Sequence, residues 1–100
     1  MKPEAIWEVI KGNAPRHWLL GYPFTLSDLT LNLNRQGHHT TRKEVALALH
    51  VLTRCGCHLT ISDAVHATSS FEYRQYEGDL NGDLLKEDSQ LWLTPPGLAN

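Results

Sequence analysis

Apolar residues recur at helical spacing through the first half of this chain and alternate at strand spacing in the second. Ile6, Val9 and Ile10 fall on one face of a first helix with Trp7 beside them; Pro3 and Glu4 suit its opening turn, and Gly12-Asn13 ends it. Pro15 to Leu20 is expected to add a short helical turn carrying Trp18 and Leu19, and Tyr22-Pro-Phe24 an extended approach to the next element. Leu26, Leu29 and Leu33 then occupy one stripe at i, i+3 and i+7. The third helix, Arg42 to Arg54, is the clearest. At about 100° per residue Val45, Ala48, Leu49 and Leu52 cluster on one face. Lys43, Leu47, His50 and Arg54 take the opposite one, a basic stripe interrupted by a leucine.

The second and third helices open with the same device. Thr25-Leu-Ser-Asp28 and Thr41-Arg-Lys-Glu44 both have the capping-box form, a threonine oxygen accepting an orphan amide hydrogen and an acid three residues on returning toward it. Asn34-Arg-Gln-Gly-His-His-Thr40 joins them as a polar connector, and Gly56 stops the third helix.

Beyond Gly56 the period changes to two. Cys57, Leu59 and Ile61 alternate with His58, Thr60 and Ser62, which predicts a half-buried strand. Phe71 to Tyr76 predicts a second, with Phe71 and Tyr73 on one face and Glu72, Arg74 and Tyr76 on the other. The small polar link Asp63 to Ser70 would be the tip of the hairpin. Asn81-Gly82 signals a turn, and Gln90 to Thr94 a third short strand before Pro95-Pro96-Gly97. That segment either docks on the hairpin or belongs to a mobile acidic arm. The expected organisation is one α+β domain over 1–76, with three helices and a small antiparallel hairpin or three-stranded sheet, and an acidic C-terminal tail over 77–100.

Charge sharpens this division. The chain of 100 residues has a formal net charge of −2. Residues 1–76 hold eight Lys or Arg against six acids, whereas 77–100 hold one lysine against five acids. From Arg35 to His58 there are four positive residues, one acid and four histidines, so the third helix is locally basic. An apolar share of 41% is that of a globular protein. No run approaches the ~18 continuous apolar residues of a membrane span, and Met-Lys-Pro-Glu-Ala-Ile lacks the apolar core of a secretory signal. A cytoplasmic location without membrane contact is the expectation.

Candidate chemistry narrows quickly. Cys55 and Cys57 are too close for an ordinary structural disulfide. With His58, and with His38-His39 upstream, they supply soft ligands, but paired zinc cysteines are usually two to four residues apart, and Cys57 suits the inward face of a strand. A Cys–His nucleophile would need a base, an orienting group and a cleft that a core this small hardly accommodates. The carboxylates Asp79, Asp83, Glu87 and Asp88 match no calcium loop. No catalytic residue, metal or cofactor is expected, and the chain is read as a non-enzyme.

Binding is the stronger theme. Thr40, Thr41, Arg42 and Lys43 open the third helix, where free amides and the helix dipole favour a phosphate, and His50 and Arg54 continue its exposed stripe. Leu47 would rest against a thymine methyl, and Arg74 with His66, Thr68, Ser69 and Ser70 would reach backbone or minor groove. For each residue taken singly the plain alternative is a solvated face. Trp92, between an acidic run and a proline pair, reads as an exposed anchor for another chain.

The stretch Phe24 to Tyr76 resembles the winged helix-turn-helix superfamily of small bacterial and phage regulators. The resemblance rests on Phe24-Thr25 before Leu29 and Leu33, then Val45, Leu49, Leu52 and Gly56, then two strands. It is loosely similar to the small enterobacterial transcriptional activators of CaiF/GrlA type. It implies binding of double-stranded DNA through the helix opened by Thr41, usually as a homodimer. A second expectation comes from a different class. Leu47 within the outward stripe, Trp92 and the acidic tail suit a phage or mobile-element protein that binds and inhibits a host nucleic-acid-handling complex. It would act in the manner of an anti-CRISPR inhibitor, with acidic residues imitating a phosphate backbone.

Overall fold

A computed structural model, which describes residues 3–13, 22–63, 72–86 and 89–94, shows an α+β chain with helices packed on one face of an antiparallel sheet. Among the described residues the helices are α1 (Pro3–Asn13), α2 (Leu26–Arg35) and α3 (Arg42–Arg54). The strands are β1 (Tyr22–Phe24), β2 (His58–Asp63), β3 (Glu72–Gln75) and β4 (Gln90–Thr94), in the spatial order β1-β4-β2-β3. Leu80–Leu84 forms a single π-helical turn between β3 and β4, and the Asn81-Gly82 turn signal lies inside it. The expected helical turn at Pro15–Leu20 and the hairpin tip with His66, Thr68, Ser69 and Ser70 fall outside the described residues, as does the side-chain placement of Phe71 and Tyr73.

Local sequence explains how α2 and α3 begin and end. Thr25 and Thr41 are both extended N-caps, accepting from the amides of Asp28 and Glu44 at 3.2 Å. The Thr41 hydroxyl in turn donates to Glu44 Oε1 at 3.3 Å. Both helices also stop in the same way. Gly37 at φ 89° and Gly56 at φ 104° occupy the left-handed position that a β-carbon disfavours. The amides two residues past each C-cap return to the last turn, His38 to the Leu33 carbonyl at 3.0 Å and Cys57 to the Leu52 carbonyl at 3.1 Å. The connector between them is pinned by one side chain. Asn34 donates through Nδ2 to the carbonyls of Thr30 and Thr40 and accepts the Thr40 amide at 3.0 Å. Each helix is thus closed at both ends by its own sequence.

Their inward faces make one core with the sheet. Ile6, Val9 and Ile10 of α1, Leu26, Leu29 and Leu33 of α2, and Val45, Ala46, Leu49 and Leu52 of α3 are buried. They meet Leu59 and Ile61 of β2 and Leu91 and Leu93 of β4. α3 buries Ala46 as well, which the face read from the sequence left out, while Ala48 is half-buried and packs against the core. The inward face is therefore turned toward Ala46.

The sheet has four strands rather than the two or three expected. The additional pairing is β1 with β4, in the register Tyr22↔Leu93 and Phe24↔Leu91. Pro23 is tolerated there because β1 is an edge strand, where a missing amide donor breaks no central ladder. β4 also pairs along β2, Leu59↔Leu93 and Ile61↔Leu91, so Gln90–Thr94 is a central strand. A strand hydrogen-bonded on both sides and buried on its helix-facing residues cannot be removed without opening the core. Truncation before Gln90 is therefore expected to abolish cooperative thermal unfolding followed by circular dichroism. Leu93→Ala should cost about 3 kcal/mol in urea denaturation.

Candidate interaction surface on the third helix

The outer face of α3 is set by what its inner face buries. With Val45, Ala46, Leu49 and Leu52 inward, the outermost direction passes between Leu47 and Val51 at about 100° per residue. These two side chains are 45% and 44% exposed. Around them Lys43, Glu44, Arg54 and Cys55 are exposed as well. The face therefore has an aliphatic centre, a lysine and a glutamate toward one end, and an arginine toward the other. Leu31 on α2 is the remaining large apolar residue with comparable exposure among the described residues.

The eight residues expected to meet nucleic acid do not share this face. Thr41, Lys43, Leu47 and Arg54 are exposed. Thr40 is buried, its amide and carbonyl taken by the Asn34 side chain. Arg42 is half-buried, and its guanidinium donates to the Leu84 carbonyl at 3.5 Å. The cause is angular: Arg42 stands four and seven residues before Ala46 and Leu49, on the side of the helix that faces the core. His50 lies at the margin, half-buried, with Nδ1 2.8 Å from the Tyr76 hydroxyl and the rings edge-to-face at 5.8 Å.

Arg74 is also redirected. In β3 it lies opposite Ile61, hence on the helix-facing side of the sheet, and its Nη1 is 2.7 Å from Asp83 Oδ1. The arginine side chain is 42% exposed and the aspartate 13%, so solvent screens this pair incompletely. Trp92, expected as an exposed anchor, is only 6% exposed. It occupies the third position of a central strand, opposite Thr60 and Pro23, on the face away from Leu91 and Leu93. The neighbouring strands, rather than a partner, surround its backbone.

One segment accounts for most of these changes. Tyr76 to Leu85 returns from β3 across the flank of α3 toward β4, and on the way it engages His50, Arg42 and Arg74 through Tyr76, Leu84 and Asp83. The turn is held by Asp79, whose Oδ1 accepts the Gly82 amide at 2.9 Å. It is anchored by Leu84, 1% exposed. Part of the expected acidic tail is thus a structural strap. Glu44, read from the sequence only as a capping residue, and Val51, which the sequence reading did not single out, complete the exposed face within one turn of Leu47.

Between the C-terminal end of α3 and β2–β3 lies an open groove of about 400 Å³, lined by His50, Arg54, Cys57, His58, Tyr76 and Glu77 among others. Burial, with the neighbouring Cys55 as a lesser cause, raises the pKa of the Cys57 thiol, which opposes thiolate chemistry in the groove. Cys55 is exposed and Cys57 buried, so the two thiols do not converge. Among the described residues no three His, Cys, Asp or Glu side chains gather closely enough to hold a metal ion. No helix among them is long and apolar enough to cross a membrane. Neither a family profile, a curated protein nor a solved structure matches the chain.

Burial first, then the carboxylates of Asp83 and Asp79, raise the Tyr76 pKa above its ordinary value of 10.0. An acid whose folded-state pKa is raised contributes stability that is complete below the unfolded value and lost as pH climbs through the folded one. Stability should therefore fall above pH 10 in urea titrations, and less steeply in Tyr76→Phe. At neutral pH the same substitution leaves His50 without its partner and should cost about 1 kcal/mol.

Proposed function

We propose that this protein is a small winged-helix module that acts by docking the outer face of α3 against another protein chain. The observation that carries this reading is the exposed pair Leu47 and Val51 at the centre of that face. Aliphatic side chains one turn apart suit an apolar surface on a partner, as in the helix-in-groove and helix-on-helix modes of recognition. Lys43, Glu44 and Arg54 surround them with charge of both signs, a polar rim about an apolar centre.

Duplex DNA is the second reading, favoured by the helix–turn–helix order and by Thr41, Lys43 and Arg54 along one exposed edge. In that case the protein would be a small transcriptional regulator. The electrostatic support is thin. Arg42 and Arg74 are engaged by the Leu84 carbonyl and Asp83, and Glu44 stands in the first turn, where a phosphate would approach. On this edge Lys43 and Arg54 alone fall well below the roughly six to ten phosphate contacts of strong binders.

A photo-crosslinking amino acid placed at position 47 in expressing cells separates the readings, with position 31 as control. The expected result is discrete protein adducts from 47 and none from 31. Absence of protein adducts would overturn the docking reading. The DNA reading would take its place if duplex binding were lost in Lys43→Glu and Arg54→Glu, with a log–log salt slope of about −2.

A further inference from the structure

The exposed face of α3 contains a symmetry that identifies its partner. Glu44 and Arg54 stand five residues either side of Leu49, and Leu47 and Val51 stand two either side. All four are exposed, while Leu49 itself points into the core. Their angular positions carry the same symmetry. At about 100° per residue, Glu44 and Val51 lie on one side of the midline of this face, and Leu47 and Arg54 lie at equal angles on the other.

A two-fold axis through that midpoint, perpendicular to the helix, reverses the helix direction and leaves each flank on its own side. Residues at equal heights then meet across the midline, Glu44 beside Arg54 of a second copy and Leu47 beside Val51, each twice. A parallel arrangement would instead place Glu44 beside Glu44 and Arg54 beside Arg54, which like-charge repulsion disfavours.

Building on the docking reading, we infer that the partner is a second copy of this chain, with the two α3 helices antiparallel across a two-fold axis, a Leu47–Val51 centre and a Glu44–Arg54 ion pair at each end. Such a contact is self-complementary and closes as a dimer without propagating. About 15 Å of helix separates Glu44 from Arg54, and one pair of helices buries less than the ~800 Å² per partner of a standard stable interface. The dimer is accordingly concentration-dependent. It covers Lys43 and Arg54, so a second copy and duplex DNA exclude one another from the same face.

Charge reversal tests this directly by sedimentation equilibrium on the full chain. Wild type dimerises. Glu44→Arg alone and Arg54→Glu alone each replace two attractive pairs by two repulsive ones, and the dissociation constant rises about tenfold or more. An equimolar mixture of the two variants restores every opposite-charge pair and recovers dimers. Leu47→Glu abolishes them.

Glu44→Arg also removes the carboxylate that accepts from Thr41. Circular dichroism melts therefore accompany each variant, and Glu44→Gln, which keeps a side-chain acceptor, weakens dimerisation by a smaller factor. A monomeric wild type, variants that associate as wild type does, or a mixture that stays monomeric would each overturn self-pairing. The cross-link at position 47 separates this failure from that of the docking reading. An adduct of twice the 11.3 kDa chain supports the dimer. An adduct with a different protein refutes the dimer and leaves docking standing, and no protein adduct refutes both.

Discussion

The position of β4 governs what the rest of the molecule presents. Gln90–Thr94 lies between β1 and β2, with Leu91 and Leu93 turned to the helices. To reach that slot from β3, which is at the far edge beyond β2, the chain has to cross β2, and it passes on the helix side of the sheet. It does so along α3, with Leu84 as its apolar anchor. The central pairing and the strap therefore belong to one constraint: a strand delivered late in the chain has to enter the middle of the sheet.

That constraint decides which polar groups of α3 remain available. The strap supplies a carbonyl to Arg42, a phenol to His50 and a carboxylate to Arg74. None of these contacts is a strong stabiliser individually, since partly exposed hydrogen bonds and ion pairs contribute modestly. Their larger effect is selective. They draw polar side chains toward the strap and leave the far side of α3 to Leu47, Val51, Lys43, Glu44 and Arg54.

Much of the scaffold was legible in the sequence because its signals are local. The threonine caps, the glycine after α3 and the alternation through Cys57, Leu59 and Ile61 each act within a few residues, and each reappears in the structure. The strand at 90–94 was legible as a strand, but not its place in the middle of the sheet, which depends on pairing with residues about 30 and 70 positions away. The site was legible in part. Arg42 and Arg74 are cations whose surroundings come from the distant strap, and no local pattern announces a contact 42 residues away in sequence. The acidic run and the proline pair on either side suggest an exposed Trp92, whereas it lies buried in a central strand of the sheet.

Taking Ala48 instead of Ala46 as the fourth inward residue of α3 rotates the expected core direction by about 40°, since the two alanines point about 160° apart and each is one of four. The opposite face then appears as Lys43, Leu47, His50 and Arg54, a cationic stripe suited to a groove of DNA. With Ala46 inward the midline moves to Leu47 and Val51, and the cations become its borders. Alanine is the residue type least able to declare its own face, because its burial adds little apolar area. On a helix of 13 residues with two alanines, the choice between them determines whether the outward chemistry is read as that of a phosphate backbone or of another protein.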